Sequence, residues 1–379
     1  DFRNNLDSSV NFQVPFATKF NNDDTNTILR ENNPEFFDDD IVTSSEIKSI
    51  KEVRITNPRT YNISELNVCT NLNRFILASE EIIYFTGIDA INSNVPFYVT
   101  DGAYDDYMVD SDWDNYANRV FPIVDLQEGM HTVVFEFNGG QLPSISPNAT
   151  KYYISVQEGE TVNIEDYTLE HAGYTFNGWF TSNDNGLTLT DNRVSGNYLF
   201  SSDLKLYAKW SVNHYKVIYN DEHITNLPKP IEAEYGKTYS ISSQKLERVG
   251  YTFWGWATTQ NAQDAEYVIG QEITNLTASD KAVINLYAVW TTNRYTLTYN
   301  GNGGVGIPES VDDIDFDFEF NISNLVPTRK GFTFLGWNAD STAEVAQYLS
   351  GEKVKGLVAT SGGRITLYAV LAVHKYNIN

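Results

Sequence analysis

The chain has 379 residues, 50 of them acidic and 26 basic, giving a formal charge of -24, with 41% hydrophobic and 14% aromatic side chains. That charge repels phosphate backbones and anionic lipid surfaces, which sets nucleic-acid and membrane-surface binding aside, while the apolar content suffices for cores in two to four domains. A single Cys69 excludes an intramolecular disulfide and a thiolate metal cluster, and no apolar run approaches the roughly 18 residues that signal a membrane span.

Residues 1–125 hold 22 acidic and 9 basic side chains, a net of -13. The polar stretch from Asn21 to Asp40, with Asn22-Asp23-Asp24 and Asp38-Asp39-Asp40, is expected as a loosely ordered arm. From Val53 onward Ile55, Ile63, Leu66, Cys69, Leu72, Phe75 and Leu77 predict short strands separated by turns. The run Cys69 to Leu77, with a cysteine ahead of Leu-x-x-Phe-x-Leu, resembles one turn of a leucine-rich solenoid of the BspA-like type. Val95 to Tyr107, followed by Trp113-Asp114-Asn115-Tyr116, resembles the way such solenoids close. The resemblance implies an acidic N-terminal module over 1–125 with a leucine-rich-repeat-like cap from about residue 50, hiding the last hydrophobic face of a solenoid.

Beyond residue 125 one unit is written three times. Gly173-Tyr174-Thr175-Phe176-Asn177-Gly178-Trp179 recurs as Gly250-Tyr251-Thr252-Phe253-Trp254-Gly255-Trp256, and again as Gly331-Phe332-Thr333-Phe334-Leu335-Gly336-Trp337. Leu206-Tyr207-Ala208-Lys209-Trp210 keeps step with it, as do Leu286-Tyr287-Ala288-Val289-Trp290 and Leu367-Tyr368-Ala369-Val370-Leu371. Alternating apolar strands open each unit: Val133, Phe135 and Phe137; Tyr215, Val217 and Tyr219; Tyr295, Leu297 and Tyr299. A turn at Gly159, Gly236 or Asp317 follows, and Ile164, Ile241 and Ile322 share an inward slot beyond it. Aspartate tolerates the left-handed turn conformation less well than glycine. The segments between the motif tryptophan and Leu-Tyr-Ala vary in length and are expected to hold loops and at most a short helix.

These linked motifs resemble the Listeria–Bacteroides repeat, also called the internalin B-repeat, of bacterial surface proteins. The fold class expected is mainly β or α+β, with tandem β-grasp (ubiquitin-like) units over 126–210, 211–290 and 291–371. Residues 372–379 read as the first strand of a fourth unit, because Tyr376-Asn377-Ile378-Asn379 repeats the opening at Tyr215 and Tyr295. On that reading the chain is a segment of a longer array, and its alternative is strand addition to a neighbouring molecule. The start at Asp1-Phe2-Arg3, without Met or a signal sequence, agrees with a segment.

Gly173, Phe176, Trp179, Gly250, Phe253, Trp256, Gly331, Phe334 and Trp337 are expected as structural residues, since positions fixed in every copy build a small core. Trp254 stands where the other copies have Asn177 and Leu335, and alternation puts it on one face with Thr252 and Trp256. That trio is the candidate binding site for a glycan or a protein of a host or neighbouring cell. Ser182-Asn183-Asp184-Asn185-Gly186 and Asp312 to Glu319 carry oxygens that would suit calcium. In the second run Ile314, Phe316, Phe318 and Phe320 are expected inward and the carboxylates in solvent, so no cofactor is assigned. His131, His171, His214, His223 and His374 show no chelating spacing, and no HExxH, Walker A, GxSxG or CxxC motif occurs. The expectation is a non-enzymatic, extracellular segment of a bacterial surface protein with no membrane insertion. It would act as a stiff spacer, with an adhesin module or a filament subunit joined through residues 372–379 as alternatives.

Overall fold

The computed structural model describes residues 20–37 and 43–375. Asp38-Asp39-Asp40 and Tyr376 to Asn379 lie outside the described residues. The class is mainly β with a few short helices. Packing divides the chain into two compact units, Asp1–His171 with Thr175–Ser211, and Ala172–Tyr174 with Val212–Asn379.

The first unit opens with a helix where an arm was expected: α1, Asp23–Asn32. Asn22 caps it by accepting from the Asp24 amide at 2.8 Å, and Ile28 and Leu29 are buried beneath it, so a local cap and an apolar stripe outweigh the polar composition. A short α2, Ser44–Ser49, follows with a Thr43–Glu46 capping box. Six strands come next: β1 (Glu52–Ile55), β2 (Thr60–Asn62), β3 (Arg74–Leu77), β4 (Tyr84–Thr86), β5 (Phe97–Val99) and β6 (Val120–Pro122). Strands β1, β3, β5 and β6 form one parallel sheet in that order, and β2 pairs parallel with β4.

Val53, Phe75, Phe97 and Val120 stand in register across the four strands, all fully buried, each about one 22-residue step from the next. Phe75 and Phe97 stack at 4.9 Å, and Trp113 meets Phe97 edge-on at 5.2 Å. Tyr104 and Tyr107 of α3 (Asp101–Val109) complete this core. Cys69 is buried in it, and desolvation pushes its thiol up to about 11, a structural rather than a reactive cysteine.

The first repeat in the same unit has β7 (Met130–Glu136), β8 (Lys151–Gln157), β9 (Thr161–Asn163), β10 (Tyr174–Ser182), β11 (Leu189–Val194), β12 (Asn197–Leu199) and β13 (Leu204–Val212). Its main sheet runs β11-β10-β13-β7-β8, with β7 and β13 parallel at the centre. The second repeat has β14 (His214–Asn220), β15 (Ile231–Glu234), β16 (Thr238–Ser240), β17 (Tyr251–Ala257), β18 (Glu272–Thr274) and β19 (Ala282–Thr292). The third has β20 (Arg294–Asn300), β21 (Val311–Asp315), β22 (Phe320–Asn321), β23 (Phe332–Asn338), β24 (Lys353–Val354) and β25 (Gly363–Val373). Both share one plan: a sheet of second, first, last and fourth strands, with first and last parallel, beside a small two-stranded pair. Ile164, Ile241 and Ile322 are buried, and so are Leu206, Leu286 and Leu367. Between the motif tryptophan and the Leu-Tyr-Ala strand lie turns and short strands, with no helix among the described residues.

Two details of the third repeat correct the alternation expected over Asp312 to Glu319. β21 ends at Asp315, and the Phe318 amide closes a turn by donating to the Asp315 carbonyl at 3.0 Å. The turn breaks the period, so Phe318 is 61% exposed while Ile314 is buried. Gly159 and Gly236 take left-handed φ of 85° and 84°, whereas at the equivalent turn Asp317 keeps φ negative. The left-handed residue nearby is Asp313, φ 55°, inside β21 at its register shift against β20.

Candidate functional site

The seven-residue motif divides its work between the core of its own repeat and the joint to the next repeat. The last four residues serve the core. In the second repeat Phe253 pairs with Trp290 and Gly255 with Val289, so Trp254 is the extra residue of a β-bulge. The bulge resets the strand's phase. Phe253 and Trp256 therefore face inward together, rings 5.2 Å apart at 73°, as do Phe334 and Trp337 at 5.1 Å and Phe176 and Trp179 at 5.5 Å. Glycine is required in the bulge because Gly255 has φ 150° and a Cβ there would strike the Tyr267 carbonyl, which binds the Trp256 amide at 2.8 Å.

This corrects the expected shared face of Thr252, Trp254 and Trp256. Trp256 is fully buried, Trp254 is 59% exposed on the bulge, and the Thr252 hydroxyl donates to Asn293 Oδ1 at 2.6 Å. Strict alternation cannot foresee an inserted residue; the signal was the glycine between two tryptophans, where a strand interior disfavours glycine.

The first two motif residues serve the joint. Gly250 has φ 80°, and its carbonyl accepts from the Asn293 amide at 2.9 Å. The Phe316 amide in turn donates to the Asn293 carbonyl at 2.9 Å, which lays the Phe316 ring over Gly250, where any Cβ would collide with it. Tyr251 meets Phe316 edge-on at 6.5 Å and carries the Arg248 guanidinium on its face at 3.6 Å. Asn293 is almost fully buried and also donates through Nδ2 to the Ala359 carbonyl at 2.7 Å.

The set recurs within the second unit around Gly173. Its φ is 79°, its carbonyl accepts from the Asn213 amide at 2.9 Å, and Tyr235 covers it. The Tyr235 amide donates to the Asn213 carbonyl at 2.9 Å, and Asn213 Nδ2 donates to the Ala278 carbonyl at 2.7 Å. The linker asparagines and the aromatic ahead of each turn were not singled out in the sequence; the available signal was that Asn213 and Asn293 each follow the closing tryptophan by three residues, and that Tyr235 and Phe316 each stand directly before the turn residue.

The N-terminal module meets the first repeat in another way, through buried charge. Lys205 of β13 is enclosed, donates to the Ala117 carbonyl at 2.9 Å, and lies over the Tyr104 ring at 5.0 Å. Burial pulls its ammonium down to about 7, opposed by the Glu136 carboxylate, and burial raises Glu136 itself. The Tyr104 hydroxyl donates to Glu136 at 3.2 Å, and Lys151 pairs with Asp105.

A cleft of about 520 Å³ beside this contact is lined by Lys51, Arg74, Tyr98, His131 and Asp203. Two of its charges are already committed: Arg74 to Glu52 at 2.7 Å, and Asp203 to the Tyr98 hydroxyl and the Thr132 amide, both at 2.7 Å. One carboxylate in each of the two runs considered for calcium is also engaged. Asp184 accepts from the Thr188 hydroxyl and amide and from Ser182, which holds its carboxyl below the usual range, and Asp315 pairs with Arg294 at 2.7 Å. Among the described residues no three His, Cys, Asp or Glu side chains gather as a metal group, and no helix is long and apolar enough to cross a membrane.

The family model of the Listeria-Bacteroides repeat domain matches residues 131–209, 215–289 and 295–370. The chain belongs to that family. It carries three tandem copies of the Listeria-Bacteroides repeat, and the motif residues placed above fall inside the matched spans. A protein of Evansella cellulosilytica named "Putative membrane protein" is 28% identical over 280 residues, which is 71% of this chain and 37% of that relative. Another from the same organism, named "Putative Gly-rich membrane protein", is 28% identical over 228 residues, 58% of this chain and 23% of that relative. The chain therefore spans well under half the length of these relatives.

Proposed function

We propose that the chain is a non-enzymatic spacer segment of a bacterial cell-envelope protein, exposed at the cell surface, in which Listeria-Bacteroides repeats are joined stiffly to hold a binding module away from the envelope. The observation that carries this reading is the Asn293 joint. One nearly buried linker asparagine spends its amide, carbonyl and both side-chain polar atoms on groups from both sides of the linker. A flexible linker would leave such groups to water. The names of the two relatives and their much greater length support the envelope setting and the role of a segment.

Each repeat is read as a β-grasp unit. Its support is the strand order second, first, last, fourth with parallel central strands, although an extended segment replaces the crossing helix. The N-terminal module is read as a leucine-rich-like end cap, on the strength of its 22-residue parallel ladder. Small-angle scattering of the full chain should give a pair-distance distribution with a long tail; a single symmetric peak would count against the spacer.

Trp254 favours a second reading, an adhesin contact for glycan or protein. A large aromatic held outward on a bulge is an uncommon use of so much apolar surface. A glycan array comparing the wild type with Trp254→Ala tests it: hits lost in the variant support it, and no hits in either leave the pure spacer.

A further inference from the structure

The joint described above exists three times in its receiving half and twice in its inserted half. Gly331 has φ 82°, matching Gly173 and Gly250, and its carbonyl accepts from the His374 amide at 2.9 Å, as theirs accept from Asn213 and Asn293. Phe332 carries Arg329 on its face at 4.2 Å, as Tyr251 carries Arg248. The Thr333 hydroxyl is 2.9 Å from His374 Nε2, echoing Thr252 on Asn293. Histidine replaces the linker asparagine, and the covering ring is missing: among the described residues nothing lies within 4 Å of a Cβ position on Gly331, where Gly250 has Phe316 and Gly173 has Tyr235.

We propose that this face of the third repeat, centred on Gly331, Phe332 and His374, is a docking socket for an aromatic side chain presented by another Listeria-Bacteroides-type unit, at the position just before the turn that follows its second strand. The two filled sockets define the occupant. It is a phenylalanine or tyrosine whose backbone amide also binds the carbonyl of the linker residue. They exclude a second copy of this chain meeting the face through its first repeat, because there the slot before Gly159 is Glu158, a charge with no counterpart in the apolar ring–glycine contact. The polarity of the array follows: the first repeat is built to follow a different module, and the third is built to receive a repeat.

The proposal rests on the spacer reading but is tested apart from it. The probe is the full chain with residues 296–375 repeated after Tyr376, so that the added unit carries a second Phe316. A matched chain has Phe316→Glu in the added unit only, the residue that the first repeat accommodates naturally and still folds. With selectively labelled glycine, the α-proton signals of Gly173 and Gly250 lie upfield because rings cover them, and that of Gly331 in the unextended chain does not. In the extended chain the Gly331 signal should move upfield to their range, and in the Glu version it should stay in place. No shift in the Phe version, or the same shift in both, overturns the proposal. Concentration-dependent head-to-tail dimers of the unextended chain in sedimentation, lost on Glu158→Lys, would overturn the exclusion of the first repeat. The scattering test of the spacer is unaffected by any of these outcomes.

Discussion

The Phe316 ring lies across the α-carbon of Gly250, close enough that no side chain fits between them. This contact explains the first glycine of the motif, which the turn alone does not require to be so small. Two costs meet there, the left-handed backbone and the ring.

Gly250→Ala and Gly331→Ala separate them. Both put an alanine at φ near 80°, which costs roughly 1–2 kcal/mol. Only the first also displaces an aromatic ring. Gly250→Ala should therefore lose about 1 kcal/mol or more beyond Gly331→Ala in denaturant unfolding followed by tryptophan fluorescence. Equal losses would mean that the ring contact carries no stability.

Asn293→Ala removes the Thr252 and Ala359 hydrogen bonds and strands a buried carbonyl. The expected loss is about 1–3 kcal/mol, and it should appear as uncoupling: the second and third repeats melt as two transitions where the wild type shows one. Calorimetry reads this directly.

The repeat array was legible because its markers are periodic and its core residues are the ones that recur. Leu286, Trp256 and Ile241 are inward for reasons any β unit obeys. The joint was less legible, because its value lies in pairing residues from different copies. Nothing local tells Phe316 from the other apolar residues of an alternating run, and the turn that frees it for Gly250 also pushes Phe318 into solvent. Helix α1 was missed because composition masked the Asn22 cap and the buried Ile28-Leu29 pair. The parallel pairing of the N-terminal strands was not legible, since strands as short as Glu52–Ile55 and Val120–Pro122 carry no signal of their partners.

Trp254 and Trp256, two residues apart, should differ sharply. Trp254→Ala removes a ring that is more than half exposed and should change stability by no more than about 0.5 kcal/mol. Trp256→Ala opens a cavity beside Phe253 and Tyr219 and should cost about 3–5 kcal/mol. Thermal melts of the two variants check the bulge assignment.

Lys205 gives the first unit a pH signature. Its folded-state value, about 7, lies below its ordinary 10.5, so between these the unfolded chain binds more protons and stability rises with pH. Glu136 works in the opposite sense at lower pH: its raised value makes stability fall as pH climbs from 4.5 through its folded titration. Lys205→Met should abolish the rise between pH 7 and about 9.5, a limit set below the ordinary tyrosine range. Denaturant midpoints at several pH values, in wild type and variant, give the comparison.

The central claim is that the Asn293–Gly250–Phe316 joint fixes the third repeat to the second. Residual dipolar couplings measured separately for residues 214–290 and 294–373 in the full chain test it most directly. A fixed joint predicts the same alignment tensor, in magnitude and orientation, for both repeats, and unequal magnitudes in Asn293→Ala. Unequal magnitudes in the wild type would contradict it.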